Sequence, residues 1–384
     1  MVYTMTMKTI LIIIGTRPEG IKLAPIIEQL KTDTAIKVVV CVTGQHNELL
    51  DPVLGFFEIE VDVNLDVMTD NQSLSQLSSR CIDQLFDVIG RIKPDLVMVQ
   101  GDTTTAFMGA LAAYYNQVKV AHIEAGLRSH RLYFPFPEEA NRRLISVIAA
   151  YHFVPTECAK QNLLAENVAE ETIFMVGNSG IDALIMGLRK VMDNQAYYRK
   201  IMETKQIDTQ QEIILVTCHR RESIGNPCKN ICKALQMIAA RFPNIQMVYP
   251  LHLNPNIRAV MQPLNASKNI KLIDPLAYDE MVYLMANSKL ILTDSGGIQE
   301  EAPTLGKPVL VLRDVTERIE GIVAGTAKLV GTDTQQIIDE TSQLLTQDDI
   351  YAEMASKINP YGSGDTAVQV QKVIKKLEFD VQNF

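Results

Sequence analysis

Residues 9–20 read TILIIIGTRPEG. An unbroken apolar run stops at Gly15, and Pro18 suits the first turn of a helix, where the leading N–H groups lack intrahelical acceptors. A run apolar at every position, not at alternate ones, is the mark of a strand covered on both faces, as in a parallel sheet. The same unit recurs in IKVVVCVTG (36–44), DLVMVQGD (95–102), VKVAHIEAG (118–126) and YHFVP (151–155). Intervening stretches such as 74–89 and 138–150 carry apolar residues at helical spacing. After IFMVGNSGID (173–182) a charged stretch through residue 211 reads as irregular. A second series follows: EIILVTCHR (212–220), IQMVYPLH (245–252), IKLIDP (270–275), LILTDSGG (290–297) and PVLVLRD (308–314). The expected fold is α/β, with two Rossmann-like domains, each a parallel sheet joined by right-handed crossovers. The boundaries expected are 1–178 and 179–364, with a last helix in 365–384 packing back on the first domain.

Composition narrows the function classes. The 384 residues exceed the size at which one core stops growing. With 47% hydrophobic and 21% charged residues the chain reads as globular. A net charge of −9 speaks against a large nucleic-acid interface. No apolar run reaches the roughly 18 residues of a membrane span. The opening MVYTMTMKTILIIIGTRPEG lacks a small-residue cleavage site and reads as a buried first strand, with Met5 or Met7 as alternative starts. Cysteines at 41, 81, 158, 218, 228 and 232 form neither a CxxC pair nor a disulfide framework, as expected in a reducing cytoplasm. Cys228 and Cys232 share a helix face and read as two buried thiols.

In parallel sheets ligands bind beyond the carboxyl ends of the strands, so the residues there carry the chemistry. At TDSGGIQEE (293–301), Gly296 and Gly297 after Ser295 let a backbone approach closely, and the next helix's free N–H groups favour an anion. A phosphate suits several donors better than a carboxylate; a plain tight turn is the competing reading. Glu300 and Glu301 would repel a bare diphosphate, but one of them could accept from ribose hydroxyls, so a nucleoside diphosphate explains both features. Neither G-x-G-x-x-G after the first strand nor a Walker A lysine is present, which disfavours NAD chemistry and ATP hydrolysis. Arg17, Lys22 and Arg318 are candidate phosphate partners, or else solvated charges. Asp102, Glu124 and Glu138 form a second set at strand ends, suited to proton transfer. Asp102 alternatively caps the following helix, burial would tune Glu124, and the helix dipole alone favours acids at Glu138 and Glu139. His219 ends a strand beside Arg220 and Arg221. Metal-ligand spacings are absent, so no metal is expected.

The motifs GTRPEGIKLAP, TGQH, VQGDTTT, HIEAGLRS, FPEEANRR, VTCHRRES, PLHLNP, TDSGGIQEEAPTLGKPVLVLRD and TER belong to a series that runs in order from Gly15 to about Ala367. In these the chain resembles the non-hydrolysing UDP-N-acetylglucosamine 2-epimerases. The resemblance implies a GT-B-type arrangement with the active site in the interdomain cleft. It further implies a cytoplasmic homodimer that interconverts UDP-GlcNAc and UDP-ManNAc for surface polysaccharides, without a redox cofactor. The implied route is elimination of UDP to 2-acetamidoglucal, then re-addition with reprotonation from the opposite face. By motif position Asp102, Glu124 and Glu138 take acid/base roles and His219 assists at the UDP side. Arg17, Lys22, Leu276 (through its backbone), Met281, Ser295, Gly296, Gly297, Glu301 and Arg318 hold UDP. Gln45, Glu139, Arg220 and His252 resemble a second, activating UDP-GlcNAc site, which Glu48 and an arginine-free 70–72 would weaken. Gly20, Met281 and Ile319 depart from the family's usual Ala, aromatic and Pro, and are expected to adjust loop stiffness or uridine affinity. Three rivals share parts of the pattern. A hydrolysing epimerase would read GTRAEYG where Pro18 and Glu19 stand; a GT-B glycosyltransferase does not need the three carboxylates; a nucleotide-sugar sensor would lack them.

Overall fold

A computed structural model describes residues 7–44, 47–69, 72–218 and 225–377. Strands and helices alternate from the first: β1 (Lys8–Ile14), α1 (Arg17–Lys31), β2 (Ile36–Val42), α2 (Asn47–Phe56), β3 (Val63–Asn64), α3 (Leu74–Ile92), β4 (Leu96–Gln100), α4 (Thr104–Tyr115), β5 (Lys119–Ile123), α5 (Glu138–Ile148), β6 (Tyr151–Val154), α6 (Glu157–Ala165) and β7 (Ile173–Met175). The sheet they form among the described residues runs β3-β2-β1-β4-β5-β6-β7, and every pairing in it is parallel. Alternate residues of β1 serve opposite faces. Ile10, Ile12 and Ile14 pack with Leu23, Ile26 and Leu30 of α1, while Leu11 and Ile13 pack with α3 and α4 residues such as Leu85 and Ala110. Burial on both faces is why this strand is apolar at every position.

Helices α7 (Ser179–Asp193) and α8 (Gln195–Thr204) occupy the stretch expected to be irregular. Ile181, Leu184, Val191, Tyr198 and Met202 form their buried stripe. Arg189, Lys190, Asp193, Arg199 and Lys200 interleave with that stripe and disguise its period. The second sheet runs β10 (Ile270–Ile273), β9 (Gln246–Pro250), β8 (Ile213–Thr217), β11 (Leu290–Thr293), β12 (Val309–Val311) and β13 (Ala327–Leu329), again parallel. Its core packs Ile214, Val216, Leu290 and Leu292 with α9 (Asn226–Arg241) and with later helices among α10 (Pro255–Met261), α11 (Tyr278–Ala286), α12 (Gly296–Glu301), α13 (Ile319–Ala324), α14 (Thr334–Thr346) and α15 (Asp348–Ala355). The chain divides into two compact units, Met1–Ala183 with Gly362–Phe384, and Leu184–Tyr361.

The closing helix α16 (Thr366–Lys376) is part of the first unit. Its Val370 and Ile374 enter the core beside α1, and Gln371 exchanges hydrogen bonds with Gln29, giving to its carbonyl at 2.7 Å and accepting from its amide at 2.9 Å. Asp182 accepts the Ala367 N–H at 2.9 Å. Deleting most of a fully buried isoleucine removes about 2–5 kcal/mol. Ile374→Ala is therefore expected to lower the unfolding free energy measured by urea titration by that amount; a loss below about 1 kcal/mol would mean that α16 is not part of the folded core.

Candidate active site

Parallel pairing puts the carboxyl ends of β1, β4 and β5 at one end of the first sheet. The β4–β5 register sets Gln100 opposite Ile123. Asp102 and Glu124, two residues and one residue further on, thus leave from neighbouring strand ends. Asp102 does not cap α4. Thr103 does, its hydroxyl oxygen accepting the Ala106 N–H at 3.0 Å. The Asp102 carboxylate instead pairs with Arg142 of α5, and its carbonyl accepts from the Asn141 amide at 2.9 Å. Glu124 sits at φ 64°, a left-handed conformation that is uncommon for a side-chain-bearing residue and tends to mark functional sites. Its carboxylate pairs with Lys22 of α1.

Glu138 opens α5, one turn before Arg142, so α5 brings the third carboxylate to the end of the sheet where it grips Asp102. Oε2 of Glu138 is buried and makes no hydrogen bond among the described residues. Glu139, expected at an activator site, follows Glu138 on α5. It is wholly buried and accepts from the Ser129 N–H at 2.9 Å, from Arg143 Nε at 3.2 Å and from Arg142 at 3.4 Å. Its negative charge is thus spent on the two arginines that follow it on α5.

Two buried histidines brace this end of the sheet. His122 lies opposite His152 in the β5–β6 register, and its Nε2 donates to the Gly101 carbonyl at 2.7 Å, next to Asp102. Burial pushes His122 down to about 3 and His152 down to about 4. Both are neutral at physiological pH.

In the second unit Ser295 lies two residues beyond β11, and its N–H donates to Thr293 Oγ1 at 2.9 Å. Helix α12 is only six residues long, so its dipole is a minor term and the cation beside it matters more. That cation is Arg318. A Cβ built on Gly296 would lie 2.9 Å from the Arg318 guanidinium carbon, so glycine is what admits the arginine against the turn. Arg318 Nε donates to Glu300 at 2.8 Å, and Glu300 is buried. Of the two glutamates, Glu301 is the one left partly exposed. Leu276 is buried before α11, and Met281 is half-buried within it. Arg17 is half-buried at the start of α1. His252 is exposed just past β9 and accepts the Asn254 N–H at 3.1 Å. Gln45, His219 and Arg220 lie outside the described residues.

The same strand ends hold residues that the strand-end reading missed: Arg142, Thr103, His122 and Glu19. The spacing of Glu139, Arg142 and Arg143 at i, i+3 and i+4 was a usable signal for the first. Among the described residues no group of three or more His, Cys, Asp or Glu could hold a metal ion, and no helix is long and apolar enough to cross a membrane.

Fold and clusters together define a class: an α/β enzyme of two Rossmann-like units, with carboxylates at one set of strand ends and an arginine-backed glycine turn at the other. Residues 28–375 match the family model described as UDP-N-acetylglucosamine 2-epimerase. A protein of that name from Neisseria meningitidis serogroup A is 48% identical over 368 residues, covering 96% of this chain and 99% of its own. Its counterpart in Escherichia coli K12 is also 48% identical, over 95% of this chain and 98% of its own. A crystal structure of the N. meningitidis enzyme bound to UDP-GlcNAc superposes with a TM-score of 0.88 at 47% identity, covering 96% of this chain and all of that one (100%). An S. aureus co-structure with UDP gives 0.85 at 44% identity, covering 96% of each chain. The chain belongs to the non-hydrolysing UDP-N-acetylglucosamine 2-epimerase family.

Because the folded protein holds His122 neutral, it binds fewer protons than the unfolded chain below pH 6.5, and stability drains away as pH falls through that window. Replacing the ring by an amide that still donates to Gly101 removes this linkage. In urea titrations His122→Gln is expected to lose about 2 kcal/mol less than the wild type between pH 7 and pH 5. Parallel losses would show that His122 is charged in the folded state.

Proposed function

We propose that the protein interconverts UDP-GlcNAc and UDP-ManNAc by elimination and re-addition. A carboxylate takes the C2 proton while the C1–O bond breaks and UDP leaves with the bonding pair, giving 2-acetamidoglucal. UDP then adds back to C1, and C2 is protonated on the opposite face. Electrons balance without an oxidant or reductant, so no redox cofactor takes part. The observation that carries this reading is the gathering of Asp102, Glu124 and α5 with Glu138 at one end of the first sheet. Proton removal from one face and delivery to the other calls for more than one such group. Lys22 and Arg142 steady two of the carboxylates. In the second unit Arg318, Ser295, Gly296 and Gly297 serve the departing diphosphate, a place where fixed cations and N–H donors favour developing negative charge. Glu301 serves the ribose, the Leu276 backbone and Met281 serve the uracil, and Arg17 and His219 complete the set. The relatives' substrate, as their names and structures state it, supports the same assignment.

The ManNAc product fits supply of surface polysaccharide, and six cysteines without a disulfide, five of them buried, fit a reducing cytoplasm. A homodimer is favoured by the apolar residues left exposed on α3, α4 and α5, among them Phe86, Tyr115 and Val147.

In D2O without added NAD, UDP-GlcNAc is expected to yield UDP-ManNAc carrying deuterium at C2, read by proton NMR. Product that keeps its C2 protium would overturn the elimination route. Asp102→Asn, Glu124→Gln and Glu138→Gln should each lower turnover about 10²–10⁴-fold while UDP still raises the melting temperature.

A further inference from the structure

Glu19 has no role in the chemistry above, yet it is 1% exposed and lies between two of the turns that perform it. It belongs to the first turn of α1, two residues after Arg17 and three before Lys22. One carboxylate oxygen accepts the Gly15 N–H at 3.2 Å, where β1 ends. The other accepts the Thr103 hydroxyl at 2.9 Å, beside Asp102, and Thr103 in turn accepts the Ala106 N–H at 3.0 Å. The two turns also touch directly: a Cβ on Gly15 would lie 2.4 Å from Thr105 Oγ1. Among the described residues Glu19 makes no ion pair, so burial of its charge is offset by these donors and by those of Thr16. A carboxylate has an acceptor for each donor. Glutamine would turn an NH2 toward one of them.

We propose that Glu19 is a positioning residue for the epimerisation, tying the turn after β1 to the turn after β4 so that Lys22 with Glu124, and Asp102, are held at one spacing. The proposal rests on the functional reading above. Burial pushes Glu19 up to about 7. As pH falls through 7 it takes up a proton, one acceptor becomes a donor, and the tie loses a bond. The titratable group facing it from α3 is Cys81, whose thiol burial pushes up to about 11, so it stays neutral over this range. From α4 and the β1 turn Glu19 meets hydroxyls and N–H groups. Asp102 is the carboxylate next in sequence to its partner Thr103, and Arg17 and Lys22 are the cations nearest to it on its own helix.

The test is the pH profile of kcat and KM for UDP-GlcNAc in the full-length enzyme. The wild type should show an acid limb near pH 7. Glu19→Gln should lack that limb and lose about 100-fold in kcat at pH 8, as a small misplacement of reacting groups can do. Its KM should move by less than about threefold, and its melting temperature at pH 8 should not fall, because a buried charge has been removed. Thr103→Val should reproduce the kcat loss and Thr103→Ser should restore it, which decides the matter even if Glu19→Gln does not fold. A Glu19→Gln enzyme with wild-type kcat, one that keeps the acid limb, or one whose kcat falls only in step with its stability overturns the positioning role. A wild type that leaves UDP-GlcNAc unchanged overturns the functional reading instead.

Discussion

The parallel ladder from β1 through β4 to β5 is the constraint on which the first unit depends. Ile12 pairs with Met98 and Gln100 with Ile123, so the three strands end at nearly one level. A slip of one residue would turn every side chain to the other face. Ile10, Ile12 and Ile14 would then leave the α1 side of the core, a change that two buried faces both oppose. The fit of side chains on the two buried faces therefore fixes where Asp102 and Glu124 emerge, although neither residue contributes to the core.

Given that frame, the helices supply counter-charges from opposite sides. Lys22 reaches Glu124 from α1, and Arg142 reaches Asp102 from α5. These pairs are only partly buried, so their net contribution to stability is small. Their value is positional. Each holds a carboxylate in one place while leaving part of it open. Glu139 extends the same logic inward, since its fully buried charge orients Arg142, which orients Asp102. In the second unit, Arg318 lies against the Gly296 turn because Glu300 anchors its Nε and because no side chain stands in its way.

Much of this was legible in the sequence because parallel strands buried on both faces advertise themselves as solid apolar runs. The main strands of both series were legible for that reason, and so were the small-residue turns that end them. Helices α7 and α8 were not, since charges interleave with their buried stripe. Strands β3 and β13, two and three residues long, are too short to show a period. At the site, residue type located Asp102, Glu124 and Glu138, but not their partners. Whether Asp102 or Thr103 caps α4 depends on backbone angles that two adjacent good capping residues leave open. Glu19 gave no signal, because an acid in the first turn of a helix is ordinary and only packing shows it enclosed. Glu139 had the same ambiguity, and only packing shows it buried against Arg142 and Arg143.

The central claim is that UDP leaves C1 during the reaction, and positional isotope exchange tests it most directly. UDP-GlcNAc is prepared with oxygen-18 in the bridge between C1 and the β-phosphorus and incubated with the enzyme, and the label is located by phosphorus NMR. If UDP departs and returns, the β-phosphate can rotate while free, and label will appear in its non-bridging positions in both epimers. Epimerisation that proceeds to equilibrium with the label still wholly in the bridge would contradict the account.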